Sequence, residues 1–397
     1  MTDTETFCRE AAALLGPRGF TRDADTMEPW LTDWRGRYTG TALGLASPTS
    51  TVEVAQFVEL CADHRVPIVP QGGNSGMSGG ATPDPDGTSV ILSLRRMAKI
   101  RSLDPASQQI TCDAGVVLQT LHETAAEKGL RFPLTLGGKG SATIGGLIST
   151  NAGGTQVLRH GTMRAQVLGL EAVLADGSVF SNLVPLKKDN RGFDLKQMLI
   201  GSEGTLGIVT AATLRLLPDI ADRRVVWVGL ENLTQARALL RHCEAAAGAA
   251  LEGFEVLPAH CLDAVLDYLP DARAPLTSPH PWYALIELVA LRGATDRLNQ
   301  LTETVFTEAM ERALLADAVI ASSEQQAEHF WQLRESISPA ERAIGPAMQH
   351  DISVPVDRMP EFVDSVSPEI EHAFPGTLAL GFGPLGAGTI HYHALAP

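Results

Sequence analysis

Two kinds of residue in this chain could do chemistry. The first is a pair of imidazoles in "GFGPLGAGTIHYHALAP" (381–397), where His391 and His393 alternate with Ile390 and Tyr392. Residues i and i+2 share one face of a strand, with Cα atoms roughly 6.5–7 Å apart. Such a pair could reach one metal ion, and equally could be two histidines on an edge strand; two ligands fall short of the usual three or four. The second kind is backbone. "QGGNSGMSGG" (71–80) follows the apolar run "VPIVP" and has the pattern GGxxGxxGG. Backbone with few Cβ atoms turns sharply, and its N–H groups can converge on an anion. The pattern is neither G-x-G-x-x-G nor a P-loop, and alone it reads equally as a tight surface loop. A second stretch, "LTLGGKGSATIGGLISTNAGG" (134–154), and a third, "IGSEGTLGIVT" (200–210), repeat its character. Together they imply a long ligand held along backbone, with hydroxyl and amide side chains supplying hydrogen bonds.

The elements that must position these groups follow from periodicity. Ser50 and Glu53 have capping-box spacing before Val54, Phe57, Val58 and Cys61, which predicts a helix over 48–61. Strands are expected at 66–70 and 88–94, and a helix at 116–130 with Gly129 near its end. Residues 167–180 read as two strands joined at Asp176-Gly177, and 204–218 as a glycine turn running into a strand. Near residue 219 the style changes to alternating strands and long helices. Strands 223–230, 282–290 and 317–322 each precede a helix, at 232–246 (Asn232 as N-cap), 294–311 and 324–337. Strand 351–355, a helix near 357–370 and strands 377–382 and 389–395 complete an α/β sandwich layout. The chain has 397 residues, too many for one ordinary core, so two domains are expected, 1–219 and 220–397.

Composition narrows the class. A formal charge of −15 argues against nucleic acid or an anionic membrane as main partner. An acidic protein that binds an anion must use N–H dipoles, which agrees with the loops. The five cysteines show no close pairing and read as reduced thiols in a cytosol-like compartment. The start, "MTDTETFCREAAALLG", lacks a basic segment followed by an apolar run, so no signal peptide is expected. No stretch is apolar enough over about 18 residues to predict a transmembrane helix.

The loops, taken in order with "LRHGTMRAQVLGLEAVLADG" (158–177), "KKDNRGFDLKQMLIGSEGTLGIVT" (187–210) and "QHDISVPVDRMPEFV" (349–363), resemble the FAD-linked oxidoreductases of the p-cresol methylhydroxylase and vanillyl-alcohol oxidase superfamily. The similar branch is the D-2-hydroxyglutarate, D-lactate and glycolate dehydrogenase group, and the resemblance runs from about residue 25 to the end. It implies an α+β chain: a two-subdomain FAD-binding domain of p-cresol methylhydroxylase type over 1–219, and an α/β sandwich cap, or substrate, domain over 220–397. By the same resemblance Gln71, Gly72, Gly73, Asn74, Ser75, Gly79 and Gly80 hold the pyrophosphate side of FAD. Gly137, Ser141, Thr143, Gly146, Thr150, Asn151, Gly154, Gly204, Gly207 and Val209 line the rest. Some members tether the flavin to histidine; Asn74 stands in the first loop, which has none, so the FAD is expected to be noncovalent.

The implied reaction is oxidation of a D-2-hydroxy acid to the 2-oxo acid by hydride transfer to flavin N5. It needs a cation on the carboxylate, for which Arg is suited, and a base for the hydroxyl proton. In "FWQLRESISPA" (330–340) Arg334 matches the family's carboxylate-binding arginine; an ion-paired helix arginine is the plainer reading of the residue itself. Gln349 stands where the family tends to place a lysine. The end of the chain resembles the family's "G-H-x-G-D-G-N-x-H" segment, whose histidines hold a divalent, zinc-like metal. Aligned on the glycines, Pro384, Ala387 and Thr389 replace the first His, the Asp and the Asn, leaving His391 as metal and catalytic candidate with His393 as a partial substitute. The family continues with a helix and an acidic-His-Gly segment, so the cap domain is expected to be incomplete and its exposed flank to invite a second copy as a homodimer. An electron-transfer flavoprotein or a quinone is the expected class of acceptor. The alternative is a catalytically impaired FAD-binding homologue. An NAD-dependent dehydrogenase is disfavoured, because no G-x-G-x-x-G with a following acid is present. The expected location is the cytoplasm, or an organelle matrix in a eukaryote.

Overall fold

The computed structural model describes residues 4–184, 186 and 188–396. The chain forms two compact units that divide at Asp219/Ile220, and Thr155–Gly161 groups with the second unit although it precedes that point in sequence.

In the first unit the helix Thr51–His64 begins where the Ser50 hydroxyl accepts a hydrogen bond from the Glu53 N–H at 3.2 Å. Glu53 reaches back to the Thr49 N–H at 2.7 Å, one residue earlier than a capping box requires. The helix buries Val54, Phe57, Val58 and Cys61, the spacing of one helical face. It joins the strands Leu45–Ala46 and Ile68–Gln71, which pair in parallel with the two sides of Val90–Ser93. Parallel neighbours need such a crossover. With Phe20–Thr21 these strands make a four-stranded sheet. A separate antiparallel sheet has the order Ile100–Asp104, Gln109–Asp113, Ile208–Arg215, Val167–Val173, Val179–Asn182. The Asp176-Gly177 turn forms as expected, with Gly177 at φ 81° and the Asp176 carboxylate accepting from the Ser178 N–H at 3.0 Å.

The second unit is built on one seven-stranded antiparallel sheet, in the order Asp317–Ile320, Ile220–Leu230, Trp282–Leu291, Leu251–Pro258, Leu378–Pro384, Thr389–Leu395, Ala347–Ser353. Val226, Val228, Phe254, Val256, Ile286 and Ile390 pack on one face with the helices Leu233–Ala247, Thr295–Glu311 and Met359–Ala373. Val225, Trp227, Leu257, Leu285, Leu380 and Phe382 pack on the other with Ala259–Tyr268, Glu324–Glu335 and Ile337–Ile344. Both faces are covered, so the central strands are apolar at nearly every position. Trp227 is fully buried against Tyr283 and Phe330; burying a large apolar side chain contributes about 1.5–3 kcal/mol.

The strand Leu251–Pro258 and the helix after it lie outside the sequence expectation. Glu252 and Glu255 interrupt the apolar run, yet both are buried in the strand. The strand expected at 351–355 instead spans Ala347–Ser353, because residues 347–353 pair in register with Thr389–Leu395. Among the described residues no helix is long and apolar enough to cross a membrane.

Candidate functional site

Within the first unit the three glycine stretches converge. A Cβ on Gly72 would lie 2.4 Å from the Thr143 Oγ1, and one on Gly73 would lie 1.9 Å from the Ser141 carbonyl oxygen. The first loop therefore touches the second at distances that exclude any side chain. The second is tied to the third by the Gly201 N–H on the Ile148 carbonyl (3.1 Å) and the Glu203 N–H on that of Ser149 (2.9 Å). The third returns to the first, since a Cβ on Gly204 would lie 2.4 Å from Pro70 Cγ. Gly154 closes the second loop in the same way, its missing Cβ standing 2.2 Å from the Thr135 carbonyl oxygen.

The other expected FAD residues divide into those that build this cradle and those left facing it. Gln71 is buried, and its Nε2 donates to the carbonyls of Trp30 (3.0 Å) and Ala81 (2.8 Å), which pins both ends of the first loop. Asn74 takes φ 50° and donates to the Thr32 carbonyl at 2.8 Å. Gly79, at φ 73°, lies against the Tyr38 ring, and Gly80 beside the Glu203 carboxylate. Asn151, at φ 48°, accepts from the Thr162 hydroxyl (2.9 Å) and the Arg164 N–H (3.0 Å); Thr150 donates to the Gly146 carbonyl at 2.9 Å. These side chains shape the loop. Two side-chain atoms of the cradle are left over: Gln71 Oε1 and Thr143 Oγ1 are both buried without a partner. A buried hydroxyl without a partner costs on the order of 1–3 kcal/mol, which a polar ligand in the cradle would recover. Ser75 lies beside Gly138, and Gly137 faces open space. Gly207 packs at the mouth of its strand, close to the Val173 carbonyl. Val209 departs from expectation: it is 2% exposed within the Ile208–Arg215 strand and paired with Ala172, so its side chain belongs to the core.

Within the second unit, one face of the sheet collects the remaining candidates around Phe382. Cross-strand register sets Phe382 opposite His391, His391 opposite Asp351, His393 opposite Gln349, and Glu255 opposite Pro384. The His391 and His393 rings lie 5.3 and 4.9 Å from the Phe382 ring, and the Arg334 guanidinium 5.2 Å from its centroid. Arg334 comes from the helix Glu324–Glu335, which Ser323 caps through the Gln326 N–H. Its Nε donates to Glu255 Oε2 at 2.8 Å, and its Nη2 stands 2.7 Å from the same oxygen in an ion pair. Nearby, Glu287 accepts from Trp331 Nε1 at 2.8 Å and faces Arg223; burial outweighs these partners and raises its carboxyl above the usual range.

Two expectations are corrected here. His391 and His393 share a strand face but not a site. His391 Nδ1 is engaged by Asp351, while His393 is 3% exposed with Nδ1 on Glu341 Oε2 at 2.6 Å. His393 is thus held in a buried pair, and the catalytic role expected of it loses its support. A metal also does not fit: Pro384 has no donor, and among the described residues no three His, Cys, Asp or Glu side chains are grouped to hold one. The residue that sequence reasoning missed is Glu255. Its only signal was an acid inside an otherwise apolar run.

Residues 42–181 match the family described as FAD binding domain, and residues 220–397 that described as FAD linked oxidases, C-terminal domain. The D-2-hydroxyglutarate dehydrogenase of Arabidopsis thaliana is 37% identical over 385 residues, covering 96% of this chain and 67% of the relative. That of Danio rerio is 35% identical over 393 residues, covering 97% and 70%. Among solved structures, p-cresol methylhydroxylase has a TM-score of 0.75 at 16% identity, covering 99% of this chain and 82% of that one. Alkyldihydroxyacetonephosphate synthase has the same score and identity, covering 99% and 80%. The expected cytoplasmic location is overturned, since both dehydrogenases carry mitochondrial names. The cofactor is FAD, and the partnerless Thr143 hydroxyl in a cradle without room for side chains agrees with it. From the two matched domains and relatives of this identity and coverage, the chain belongs to the family of FAD-linked oxidoreductases that includes the D-2-hydroxyglutarate dehydrogenases.

Proposed function

We propose that this protein is an FAD-dependent dehydrogenase that oxidises a D-2-hydroxy acid of the 2-hydroxyglutarate, lactate or glycolate class to its 2-oxo acid. The observation that carries the reading is the arrangement around Phe382: one guanidinium and one partly exposed imidazole both lie against a single ring. A small 2-hydroxy acid carries its carboxylate and hydroxyl on adjacent carbons, so one such surface can address both. Arg334 binds the carboxylate. Asp351 accepts from His391 Nδ1, which leaves Nε2 unprotonated to take the hydroxyl proton. FAD, when bound, accepts the hydride from Cα. The first unit would hold it noncovalently, with Gly72, Gly73 and Gly204 letting the loops of the cradle pack against one another and Thr143 donating or accepting a hydrogen bond. No step uses a metal. An electron-transfer flavoprotein or quinone reoxidises the flavin, and two copies pair as a homodimer; reoxidation kinetics and sedimentation test these two points.

The second reading, an FAD-binding homologue without turnover, is favoured by the commitment of Arg334 to Glu255 and by Pro384. Anaerobic mixing separates the two. Bleaching of the flavin's visible absorbance by D-2-hydroxyglutarate, D-lactate or glycolate is the expected result. A flavin that stays oxidised with all three sinks the dehydrogenase reading.

A further inference from the structure

We propose that Glu255 is a positioning residue for substrate binding: it holds the Arg334 guanidinium so that Nη1 is the edge presented to a carboxylate. The inference rests on the reading of Arg334 as the carboxylate-binding residue. Glu255 lies in a central strand and is fully buried. Its Oε2 accepts a hydrogen bond from Arg334 Nε at 2.8 Å and lies 2.7 Å from Nη2 in an ion pair. The Phe382 ring lies under the same guanidinium at 5.2 Å. A planar cation with one edge bonded and one face covered keeps little rotational freedom. Nη1 is the nitrogen that neither contact uses.

A buried pair of this kind is a weak source of stability, because desolvating both charges offsets most of their attraction. Its Oε1 is, moreover, buried without a partner, so the carboxylate is not optimised for its own hydrogen bonding. What the pair supplies is geometry. A surface arginine must lose side-chain freedom when it closes on a ligand, which weakens binding. Here Glu255 has removed that freedom before the ligand arrives. The arrangement also partly cancels the positive charge of Arg334, so a substrate carboxylate meets directed N–H groups more than net charge.

The test uses the FAD-loaded full chain and two non-reducing probes, 2-oxoglutarate and pyruvate, with affinity read from perturbation of the flavin absorbance. Glu255→Gln is expected to weaken binding of the better probe by about tenfold or more, with flavin content unchanged; the melting temperature should fall, because the buried Arg334 cation loses its partner. Glu255→Asp should restore part of the loss. In an Arg334→Ala background Glu255→Gln should have no further effect, since the residue acts only through Arg334. Arg334→Lys, which keeps the charge but cannot bond through both Nε and Nη2, should lose affinity as Glu255→Gln does. Unchanged affinity in Glu255→Gln or in Arg334→Lys overturns the proposal, as does an equal loss in both backgrounds, a loss accompanied by a matching loss of flavin, or failure of the unaltered chain to bind either probe. Binding that follows the expected pattern without bleaching by any hydroxy acid removes the dehydrogenase reading and leaves the role of Glu255 standing.

Discussion

At the scale of the residue, the side chains on the Phe382 face are distinguished by their partners. Arg334 carries the clearest expectation: Arg334→Ala should raise the substrate KM by about tenfold or more while FAD stays bound, because breaking a charge-assisted hydrogen bond to a carboxylate costs roughly 1.5–3 kcal/mol. Steady-state kinetics normalised to flavin content checks it. Loss of flavin instead would show that the residue supports the fold. The cysteines give a second test. All five are buried and unpaired, and burial pushes the thiols of Cys61, Cys112 and Cys243 up to about 12. A thiol in that state is protonated at neutral pH and a poor nucleophile. A thiol reagent at pH 8 should therefore find none of the five in the native protein and all of them after denaturation, and early reaction of any would contradict the burial seen. The sequence showed Arg334 and the absence of paired cysteines. It could not show that Glu255 is the partner of Arg334, because residues 79 positions apart become neighbours only when their strand and helix pack.

At the scale of the element, the glycine loops act by what they omit. Gly73→Ala would drive a methyl group into the Ser141 carbonyl, which stands 1.9 Å from the missing Cβ. The backbone of two loops must then separate, and overpacking of this kind costs about 1–3 kcal/mol or more. The expected outcome is a chain that folds but purifies with little or no flavin, read from the ratio of absorbance at the flavin and protein bands. Gly345→Ala, outside the three loops, is the control: its backbone is extended at φ 168° and a Cβ there meets nothing within 4 Å, so it should retain FAD. Loops 71–80, 134–154 and 200–210 were legible as elements because glycine spacing is a local property. Their mutual contact was not, and neither was the strand that carries Glu255. Two glutamates among apolar residues read locally as a surface turn, and only the cover of helix and neighbouring strands makes them interior.

At the scale of the whole molecule, acid should weaken the first unit through Glu171. Burial alone would raise this carboxyl, but hydrogen bonds from Arg101 (3.0 Å), Thr51 (2.7 Å) and Thr210 (3.0 Å) outweigh it and hold it below its usual range. The folded carboxylate then gives up its proton more readily than the unfolded one. Its contribution is fully present above the ordinary value of about 4.3 and is lost as pH falls through the lowered folded value. Glu171→Gln should lower stability at neutral pH and flatten the fall in melting temperature below about pH 4.3. A parent and variant with parallel pH profiles would show that Glu171 titrates alike in both states.

The sequence by itself determined most of the element order, without the strand Leu251–Pro258 and the helix after it, together with the change of style near residue 219, the cofactor class and the identity of Arg334 and His391 as the residues to watch. These are properties of local spacing and of an ordered series of motifs, and both survive without coordinates. The tertiary structure alone decided which of them act together. Strand register set His391 against Asp351, and the helix Ile337–Ile344 packed on the sheet buried His393 against Glu341. The packing of a helix on the sheet set Arg334 on Glu255, and the path of the backbone moved Thr155–Gly161 into the second unit. The physical reason is common to all three: charge and burial depend on neighbours distant in the chain, which spacing along the chain does not contain.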